Sequence, residues 1–246
     1  MSEGQYQTRQ ANLPKDIATA QRLRHRAFYS SRGVPSHGDL DVDAFDARCR
    51  HFLVEDASSG KAVATCRALV LSSGAEIHLS YAAQRYDLGR LAAYDRPMIE
   101  VGRFCVAPDV ADPDVPRALW GGLTKLVDTE KAGLLFGCSS FEGTDAEIYA
   151  DTFAMLKERH LAPAHWLPRI KSSNVFRFSH RSNRKTDRRR GMRAMPPLLR
   201  SYLSMGGWVS DHAVIDRQLN TLHVFTGLEV RAIPAKRAIS LRAVAG

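Results

Sequence analysis

The chain has 246 residues, of which 44% are hydrophobic and 25% charged, a composition typical of a globular protein with material for one large domain. No run approaches the roughly 18 apolar residues of a membrane span. The polar residues 1–10 lack a signal-peptide core, so we expect a cytosolic protein. The spacing of the four cysteines excludes a Cys-x-x-Cys or zinc-type motif, which predicts buried free thiols and no metal site. They are Cys49, Cys66, Cys105 and Cys138.

The net charge of +9 is concentrated in residues 171–200. This basic segment contains ten Lys or Arg residues and a single acid, Asp187, whereas the rest of the chain contains equal numbers of basic and acidic residues. A localised excess of this kind predicts contact with an anionic partner. The candidate contact residues are Arg184, Lys185, Arg188, Arg189 and Arg190.

The first third of the chain predicts a strand, a helix and a hairpin. Apolar residues with helical spacing and an early proline favour a helix at residues 14–29. Branched and apolar runs favour strands on either side of a Ser-Ser-Gly turn. The predicted ranges are a strand at 6–10, the helix at 14–29, a loop at 32–38 and hairpin strands at 51–56 and 61–71.

An acidic run lies between that helix and the hairpin, with carboxylates at Asp39, Asp41, Asp43 and Asp46. A calcium loop is excluded because the glycine and closing glutamate of the twelve-residue pattern are missing. Two interpretations stay open. The run is either a solvated loop or a pocket for a small cation such as an amine, with Phe45 as its apolar wall.

Residues 98–108 read as a central strand that polar residues interrupt. A buried carboxylate at Glu100 and a guanidinium at Arg103 are costly unless they are paired or used. A bulge at Gly102 would bend the strand and re-aim one of these side chains. The segment is therefore either a structural ion pair at a kink or the floor of an active site.

The remaining elements complete a mixed α/β pattern, which we interpret as a single domain over 1–246. The helix after residue 143 is predicted to turn Ile148, Phe153, Leu156 and Leu161 inward. The predicted ranges are short helices in a surface loop at 72–97, helices at 114–132 and 144–160, a strand at 134–141, a helix at 196–205 and closing strands at 208–215 and 221–230.

This order resembles the acetyltransferase fold of the GCN5-related superfamily, in which a bulged, splayed fourth strand of a mixed central sheet holds the acyl donor. The resemblance implies a pantetheine slot between residues 100–106 and 134–140. Coenzyme A users of that superfamily open the next helix with a glycine-rich loop whose N–H groups bind the pyrophosphate. Here residues 107–116 contain three acids and three prolines, which cannot do so. The donor implied is therefore acyl carrier protein, an acidic partner that suits the basic segment.

A more specific resemblance is to acyl-homoserine lactone synthases, although their usual tryptophan after the first helix is replaced by Gly33-Val34-Pro35. The matching residues are Arg24-x-x-x-Phe28, Asp43 with Asp46, Arg67, and Glu100-x-x-Arg103. The chain is still more similar to the ornithine-acyl carrier protein N-acyltransferases, over residues 6–230. Those motifs include Phe45-Asp46-x-x-Cys49-x-His51, Val101-Gly102-Arg103-Phe104-Cys105-Val106, Leu119-Trp120-Gly121-Gly122 and Pro196-Pro197-Leu198-Leu199-x-x-Tyr202.

The resemblance implies transfer of a (3-hydroxy)fatty acyl group from the carrier-protein thioester to the α-amine of ornithine, which yields lyso-ornithine lipid. Acylation of glutamine, lysine or glycine, or a lactone synthase-like reaction, stay open. No bound cofactor is implied, because acyl-4′-phosphopantetheine arrives on the carrier protein. Glu100 is the implied general base, directly or through water. Arg103 would hold Glu100 ionised or bind the acceptor carboxylate.

The remaining implied roles concern binding. Asp43 and Asp46 would neutralise the acceptor's ammonium groups, with Arg24 and Arg67 ordering them. Backbone N–H groups from Phe104 to Val106 would stabilise the oxyanion. Three further side chains have hypothetical roles. Phe28 and Phe104 would line the acyl channel, and Ser140 would protonate the thiolate.

A competing class is a nucleic-acid-binding protein that uses the basic segment, but aromatic interleaving is sparse and the known nucleic-acid modules are absent. A third use of the segment is peripheral contact with an anionic membrane, helped by Trp166, Phe176 and Phe178. This use is compatible with an enzyme whose product is a lipid.

Overall fold

The computed structural model describes residues 5–179 and 186–245. Its strands are β1 (Tyr6–Ala11), β2 (Arg50–Asp56), β3 (Ala62–Leu71), β4 (Tyr86–Asp87), β5 (Met98–Val106), β6 (Leu134–Glu142), β7 (Arg169–Ile170), β8 (Val175–Arg177), β9 (Trp208–Asp216) and β10 (Thr221–Glu229). Its α-helices are α1 (Pro14–Phe28), α2 (Ala82–Arg85), α3 (Asp114–Glu130), α4 (Ala150–Arg159), α5 (Arg188–Ala194), α6 (Pro197–Ser204) and α7 (Ala235–Ala245). Within the described ranges, no helix is both long and apolar enough to cross a membrane.

The chain divides into two compact units. Unit 1 consists of residues 1–70, 101–132 and 235–246, and unit 2 of residues 71–100 and 133–234. Strand β5 therefore begins in unit 2 and continues in unit 1 from Val101. The architecture is an α/β fold with a large sheet flanked by helices, as the element order predicts.

In unit 1, strands β1, β2 and β3 form an antiparallel meander in which His51 lies opposite both Ala11 and Arg67. Helix α3 packs against β1, β2 and α7, and α1 packs against β2. The inward face of α3 is apolar, with Leu119, Leu123 and Leu126 buried. Burial of this stripe, rather than helix propensity, supplies most of the stability of such a helix.

Strand β5 contains a backbone irregularity at Arg103, whose φ is +52°. A left-handed conformation costs a non-glycine residue of the order of 1–2 kcal/mol, so surrounding contacts must hold it. The expected kink is present in the strand, one residue beyond Gly102. At position 103 the backbone therefore departs from the conformation of an extended strand.

In unit 2, the strand order is β6-β10-β9-β8, with antiparallel pairing throughout. Helices α4 and α6 and residue Phe178 close a core around Phe141, Phe153 and Val209. Aromatic rings dominate this core, and Phe153 stacks on Phe178 with centroids 4.9 Å apart.

The strands and main helices predicted from the sequence are confirmed, but four details differ. Residues 72–97 are not a surface loop, because Ile77, Tyr86 and Leu91 are buried. The segment before α4 is a short 3-10 helix that turns Ile148 outward, and Leu161 is also exposed. Helices α5 and α7 and the short strands β4, β7 and β8 were not expected. The four cysteines are free, but only Cys66 and Cys105 are fully buried.

Candidate active site

Six charged side chains of unit 1 form a closed ring in which arginines and aspartates alternate. In order around the ring they are Arg24, Asp41, Arg103, Asp43, Arg67 and Asp46. Helix α1 supplies Arg24, β3 supplies Arg67, β5 supplies Arg103, and the segment before β2 supplies the three aspartates. The ring is neutral because three positive charges face three negative ones.

Each guanidinium of the ring contacts two carboxylates. Arg24 donates two hydrogen bonds to Asp46, at 2.9 and 2.8 Å, and its Nε lies 2.9 Å from Asp41 Oδ2. Paired donation of this kind is the strong, geometrically specific form of an arginine–carboxylate contact. The remaining contacts are Arg67 Nη1 and Nη2 to Asp43 at 2.5 and 2.7 Å, Arg67 Nη1 to Asp46 at 2.6 Å, Arg103 Nε to Asp41 at 2.8 Å and Arg103 Nη2 to Asp43 at 3.2 Å.

The ring is buried on one side and reachable on the other. The side chains of Arg24, Asp41 and Arg67 are no more than 4% exposed, whereas Arg103 is 14% and Asp43 24% exposed. Arg103 and Asp43 therefore form the most exposed edge of the ring. That edge is held in place by four deeper charges, so its geometry is fixed before any ligand arrives.

The pairing controls protonation of the carboxyls. Burial by itself would raise the pKa of Asp46, but the Arg24 guanidinium outweighs it and holds the pKa below its ordinary value. Asp43 behaves alike, because Arg67 and Arg103 overcome the effect of burial on its pKa. Burial lowers the pKa of His51, whose Nε2 lies 3.0 Å from the Asp46 carbonyl oxygen. Its Nδ1 is buried and has no hydrogen-bond partner among the described residues, so His51 is only partly satisfied.

Sequence reasoning grouped four of the six ring residues, assigned Arg103 to Glu100 or to the acceptor carboxylate, and missed Asp41. Asp41 lies in the acidic run and is buried, and its carbonyl also accepts a hydrogen bond from Arg24 Nη2. The run is therefore not a solvated loop. Asp43 and Asp46 each have two arginine partners, so neither is an open receptor for a free ammonium group.

Phe45 forms an apolar face of this ring rather than of an empty pocket. Its buried ring lies 5.6 Å from Arg67 Cζ and 4.8 Å from Arg48 Cζ. Guanidinium groups over an aromatic face at such distances gain on the order of 0.5–2 kcal/mol. Phe45 therefore stabilises the orientation of Arg67.

Glu100 lies in unit 2 at the start of β5, and it is buried with 5% exposure. Its carboxylate accepts hydrogen bonds from the backbone N–H groups of Tyr81, at 2.8 Å, and Ala82, at 2.7 Å. These donors lie at the first turn of α2, where N–H groups lack partners within the helix. The carboxylate is thus fixed in orientation by rigid backbone.

A second polar cluster of unit 2 surrounds Tyr86, which is fully buried between two histidines. The Tyr86 hydroxyl donates to the His223 carbonyl oxygen at 2.7 Å. Burial lowers the pKa of His223 to about 4, so that its ring is neutral at pH 7. Arg85 and Asp216 adjoin the cluster and face one another at 3.4 Å.

The other predicted site residues lie in varied surroundings. Phe28 and Phe104 are half-buried, and Phe104 packs 5.8 Å from Trp120. Val106 ends β5, and Ser140 is an exposed residue of β6. Phe141 is a core residue in contact with Phe153.

The basic segment is only partly described, since Arg184 and Lys185 lie outside the described residues. Helix α5 exposes Arg188, Arg189 and Arg190. Arg188 contacts Glu158 at 3.2 Å and Arg190 lies 3.7 Å from Asp151. The exposed Arg188–Glu158 pair is weak and leaves positive charge available to a partner, whereas the Asp151 partner of Arg190 is buried.

The start of α3 carries acids where a pyrophosphate-binding loop would carry glycines. Asp112 accepts a hydrogen bond from the backbone N–H of Asp114 and another from the Tyr6 hydroxyl. Pro113 precedes the helix and cannot donate. This helix start is therefore unsuited to an anionic diphosphate.

Comparison with known proteins agrees with these features. Residues 23–121 match the model of the acetyltransferase (GNAT) domain. The L-ornithine N(alpha)-acyltransferase of Rhodobacter capsulatus is 33% identical over 241 residues, covering 94% of this chain and 92% of that protein. The protein of the same name from Brucella abortus is 30% identical, covering 95% of this chain and 87% of that one.

Solved structures share the fold at low sequence identity. An N-acyl amino acid synthase from uncultured soil microbes aligns with a TM-score of 0.53 and 12% identity, covering 92% of each chain. A CoA-dependent acyl-homoserine lactone synthase aligns with a TM-score of 0.50 and 13% identity, covering 94% of this chain and 88% of that one.

The fold, the kinked strand and the family match together define an acyltransferase of the GNAT type. Similarity over nearly the full length narrows the assignment further. The chain belongs to the family of the L-ornithine N(alpha)-acyltransferases.

Proposed function

We propose that the protein transfers a (3-hydroxy)fatty acyl group from acyl carrier protein to the α-amine of ornithine, giving lyso-ornithine lipid. The observation that carries this proposal is the full-length similarity to relatives named for that activity. The anchored Glu100 carboxylate supports it, because amide formation needs a base.

Ornithine's α-amine is mostly protonated near neutral pH, so it must lose a proton before it can attack. In the proposed mechanism Glu100 accepts that proton, directly or through one water molecule. The amine then attacks the thioester carbonyl, and the C–N bond forms as the C–S bond breaks. The second amine proton passes to the departing thiolate, so that amide, thiol and one released proton balance the reaction.

Two features of β5 support the placement of chemistry there. Both Glu100 oxygens are oriented by backbone donors. The left-handed backbone at Arg103 interrupts the extended conformation of β5, and we propose that backbone N–H groups near Phe104–Val106 stabilise the oxyanion.

The proposed donor is an acyl carrier protein that docks on the basic segment. Helix α5 exposes arginines around Met192, whose side chain is also exposed. An apolar residue ringed by guanidinium groups suits an acidic helical partner. Membrane contact through the same segment has weaker support, because Phe178, one of its expected apolar anchors, is only 2% exposed.

The direct test is to incubate the purified protein with a 3-hydroxyacyl carrier thioester and, separately, ornithine, lysine, glutamine, glycine and homoserine. Mass spectrometry of the products is expected to show N-acylornithine as the main product. A main product built on another acceptor would replace ornithine in the proposal. Tight nucleic-acid binding in gel-shift assays without any acyl transfer would reject the enzyme assignment.

The role of Glu100 is tested by Glu100→Gln, which keeps the side-chain shape and removes the base. We expect a 10²- to 10⁴-fold lower kcat with an unchanged Kd for the carrier thioester. Glu142→Gln, at the exposed end of β6, is the matched control. Wild-type turnover by Glu100→Gln would remove Glu100 from the mechanism.

A further inference from the structure

We propose that Arg85 forms the subsite that binds the α-carboxylate of the acceptor amino acid. This inference rests on the proposed function, since it concerns the same acceptor. An amino-acid acceptor brings a carboxylate as well as an amine, and a guanidinium is the side chain best shaped to bind it. None of the three ring arginines is well placed for this, because each already contacts two aspartates.

Arg85 differs from the ring arginines in its contacts. Its side chain is 34% exposed, and its Nη2 faces a single carboxylate, Asp216, at 3.4 Å. It also hydrogen-bonds the side chain of Tyr81. Its Nε is buried and has no hydrogen-bond partner within the described part of the chain. A guanidinium has five N–H donors, and a buried donor without an acceptor is costly, so this group retains capacity for a further acceptor.

Asp216 is a weak competitor for that capacity. Its Oδ1 accepts hydrogen bonds from the backbone N–H groups of Gln218, at 3.0 Å, and Leu219, at 3.1 Å. These bonds cap the turn between β9 and β10 and fix the carboxylate in place. The long contact of its other oxygen with Arg85 therefore orients the guanidinium without saturating it.

The location of Arg85 relative to Glu100 fits the shape of an amino acid. Glu100 holds the first turn of α2 through Tyr81 N and Ala82 N, and Arg85 ends the same helix. Three residues of α-helix span about 4.5 Å along the axis. The amine and carboxylate of an α-amino acid share one carbon atom, so one short, rigid element can present partners for both groups.

The surroundings keep Arg85 positively charged. Burial by itself would lower the pKa of Arg85, but Tyr81 and Asp216 raise it above its ordinary value. The nearby His223 is neutral at pH 7. A substrate carboxylate would therefore meet a fixed positive group.

The experiment compares ornithine with ornithine amide, which lacks the carboxylate charge, in the wild type, Arg85→Met and Arg85→Lys. The matched control is Arg169→Met, because Arg169 is an exposed arginine of strand β7. The measurements are kcat and KM for both acceptors, KM for the carrier thioester, and calorimetric binding of both acceptors without donor. Calorimetry is independent of turnover, so it judges the subsite even if ornithine is not the substrate.

We expect the wild type and Arg169→Met to favour ornithine over its amide. In Arg85→Met the KM for ornithine is expected to rise about 10- to 100-fold. The ratio of kcat/KM for ornithine to kcat/KM for ornithine amide is expected to fall close to one. The thioester KM should stay within about twofold. Arg85→Lys should recover part of the preference, because it restores the charge without the planar fork. If Arg85→Met fails to fold, the Lys variant decides.

Two results would overturn the subsite. One is a wild type that binds ornithine and ornithine amide equally. The other is an Arg85 variant that keeps the full preference for ornithine. Absent turnover together with carboxylate-dependent binding that is lost in Arg85→Met would retain the subsite and reject only the proposed function.

Discussion

In the alternating ring of unit 1, each charged side chain compensates the buried charge of its two neighbours. Removing one aspartate leaves two guanidinium groups sharing fewer carboxylates in a buried place, and uncompensated buried charge is expensive. We expect Asp46→Asn to lower the free energy of unfolding by about 3–5 kcal/mol, because Asp46 contacts Arg24 and Arg67.

Urea denaturation monitored by circular dichroism measures this change. The control is Asp39→Asn in the same acidic run, where the exposed Asp39 meets Arg22 at 3.4 Å. Its effect should stay below about 0.5 kcal/mol. Equal effects of the two substitutions would contradict the special status of the ring.

His223 gives stability a defined pH dependence. The folded protein keeps this histidine neutral down to a pKa of about 4, whereas the unfolded chain protonates it near its ordinary value of 6.5. Between these values the unfolded state binds more protons, so stability falls as pH falls. The contribution lost from pH 6.5 to pH 4 is about 3 kcal/mol.

The measurement is the urea midpoint from pH 4 to 8 for wild type, His223→Asn and the exposed control His37→Asn. The slope below pH 6.5 should flatten only in His223→Asn. Parallel curves for wild type and His223→Asn would show that another group causes the dependence.

The local sequence pattern explains why some site residues were predicted and Asp41 was missed. Arg67 and Arg103 were identifiable because a charge inside an apolar strand needs an explanation. Asp41 gave no such signal, since a loop has no periodicity to show which of its carboxylates turns inward. The pairing of Arg103 with Asp41 and Asp43 also depends on chain segments 60 residues apart, which no local pattern contains.

At the scale of elements, Gly122 permits α3 to lie close to β1. A Cβ at this position would lie 2.4 Å from Thr8 Cγ2. Alanine normally favours a helix over glycine by up to about 1 kcal/mol. Here we expect Gly122→Ala to destabilise the protein by about 1–3 kcal/mol instead, through overpacking.

Thermal and urea denaturation of three variants tests this contact. Thr8→Ser removes the clashing methyl group, so Gly122→Ala combined with Thr8→Ser should recover most of the loss. Thr8→Ser alone supplies the baseline for the double-mutant cycle. A stabilising Gly122→Ala would disprove the close approach.

Elements with a strong periodic pattern of apolar residues were predictable from the sequence. Elements that depend on tertiary packing were not. Helix α3 has a clear apolar stripe and was placed within two residues at its end. Helix α7 is weakly amphipathic, with Ile239 exposed and Leu241 buried, so its sequence lacked a stripe. It packs on α3 beside Gly121, where an added Cβ would lie 3.0 Å from the Val244 carbonyl oxygen.

For the whole molecule, the excess positive charge belongs to one segment while the rest of the chain is balanced. Association with an acidic carrier protein should therefore depend on that segment and on ionic strength. Replacing Arg188, Arg189 and Arg190 by Gln is expected to raise the KM for the carrier thioester at least tenfold at low salt, with kcat nearly unchanged.

Steady-state kinetics at 20–300 mM salt test this, and the wild-type dependence on salt should weaken in the triple variant. The control replaces Lys236 and Arg237 of α7, which are also exposed and basic. An unchanged KM in the triple variant would direct attention to membranes, and flotation with anionic liposomes would then be the next measurement.

The closed ring of unit 1 also holds in place residues 33–45, a stretch without regular secondary structure. These residues contain no helix or strand, so the ring contacts of Asp41 and Asp43 near their end contribute much of their stability. Salt screens buried pairs poorly, but acid neutralises them once the medium falls below the depressed pKa values of Asp43 and Asp46. Strong acid, rather than high salt, should therefore unfold residues 33–45 first. Their backbone amides should exchange with deuterium while those of the neighbouring sheet remain protected.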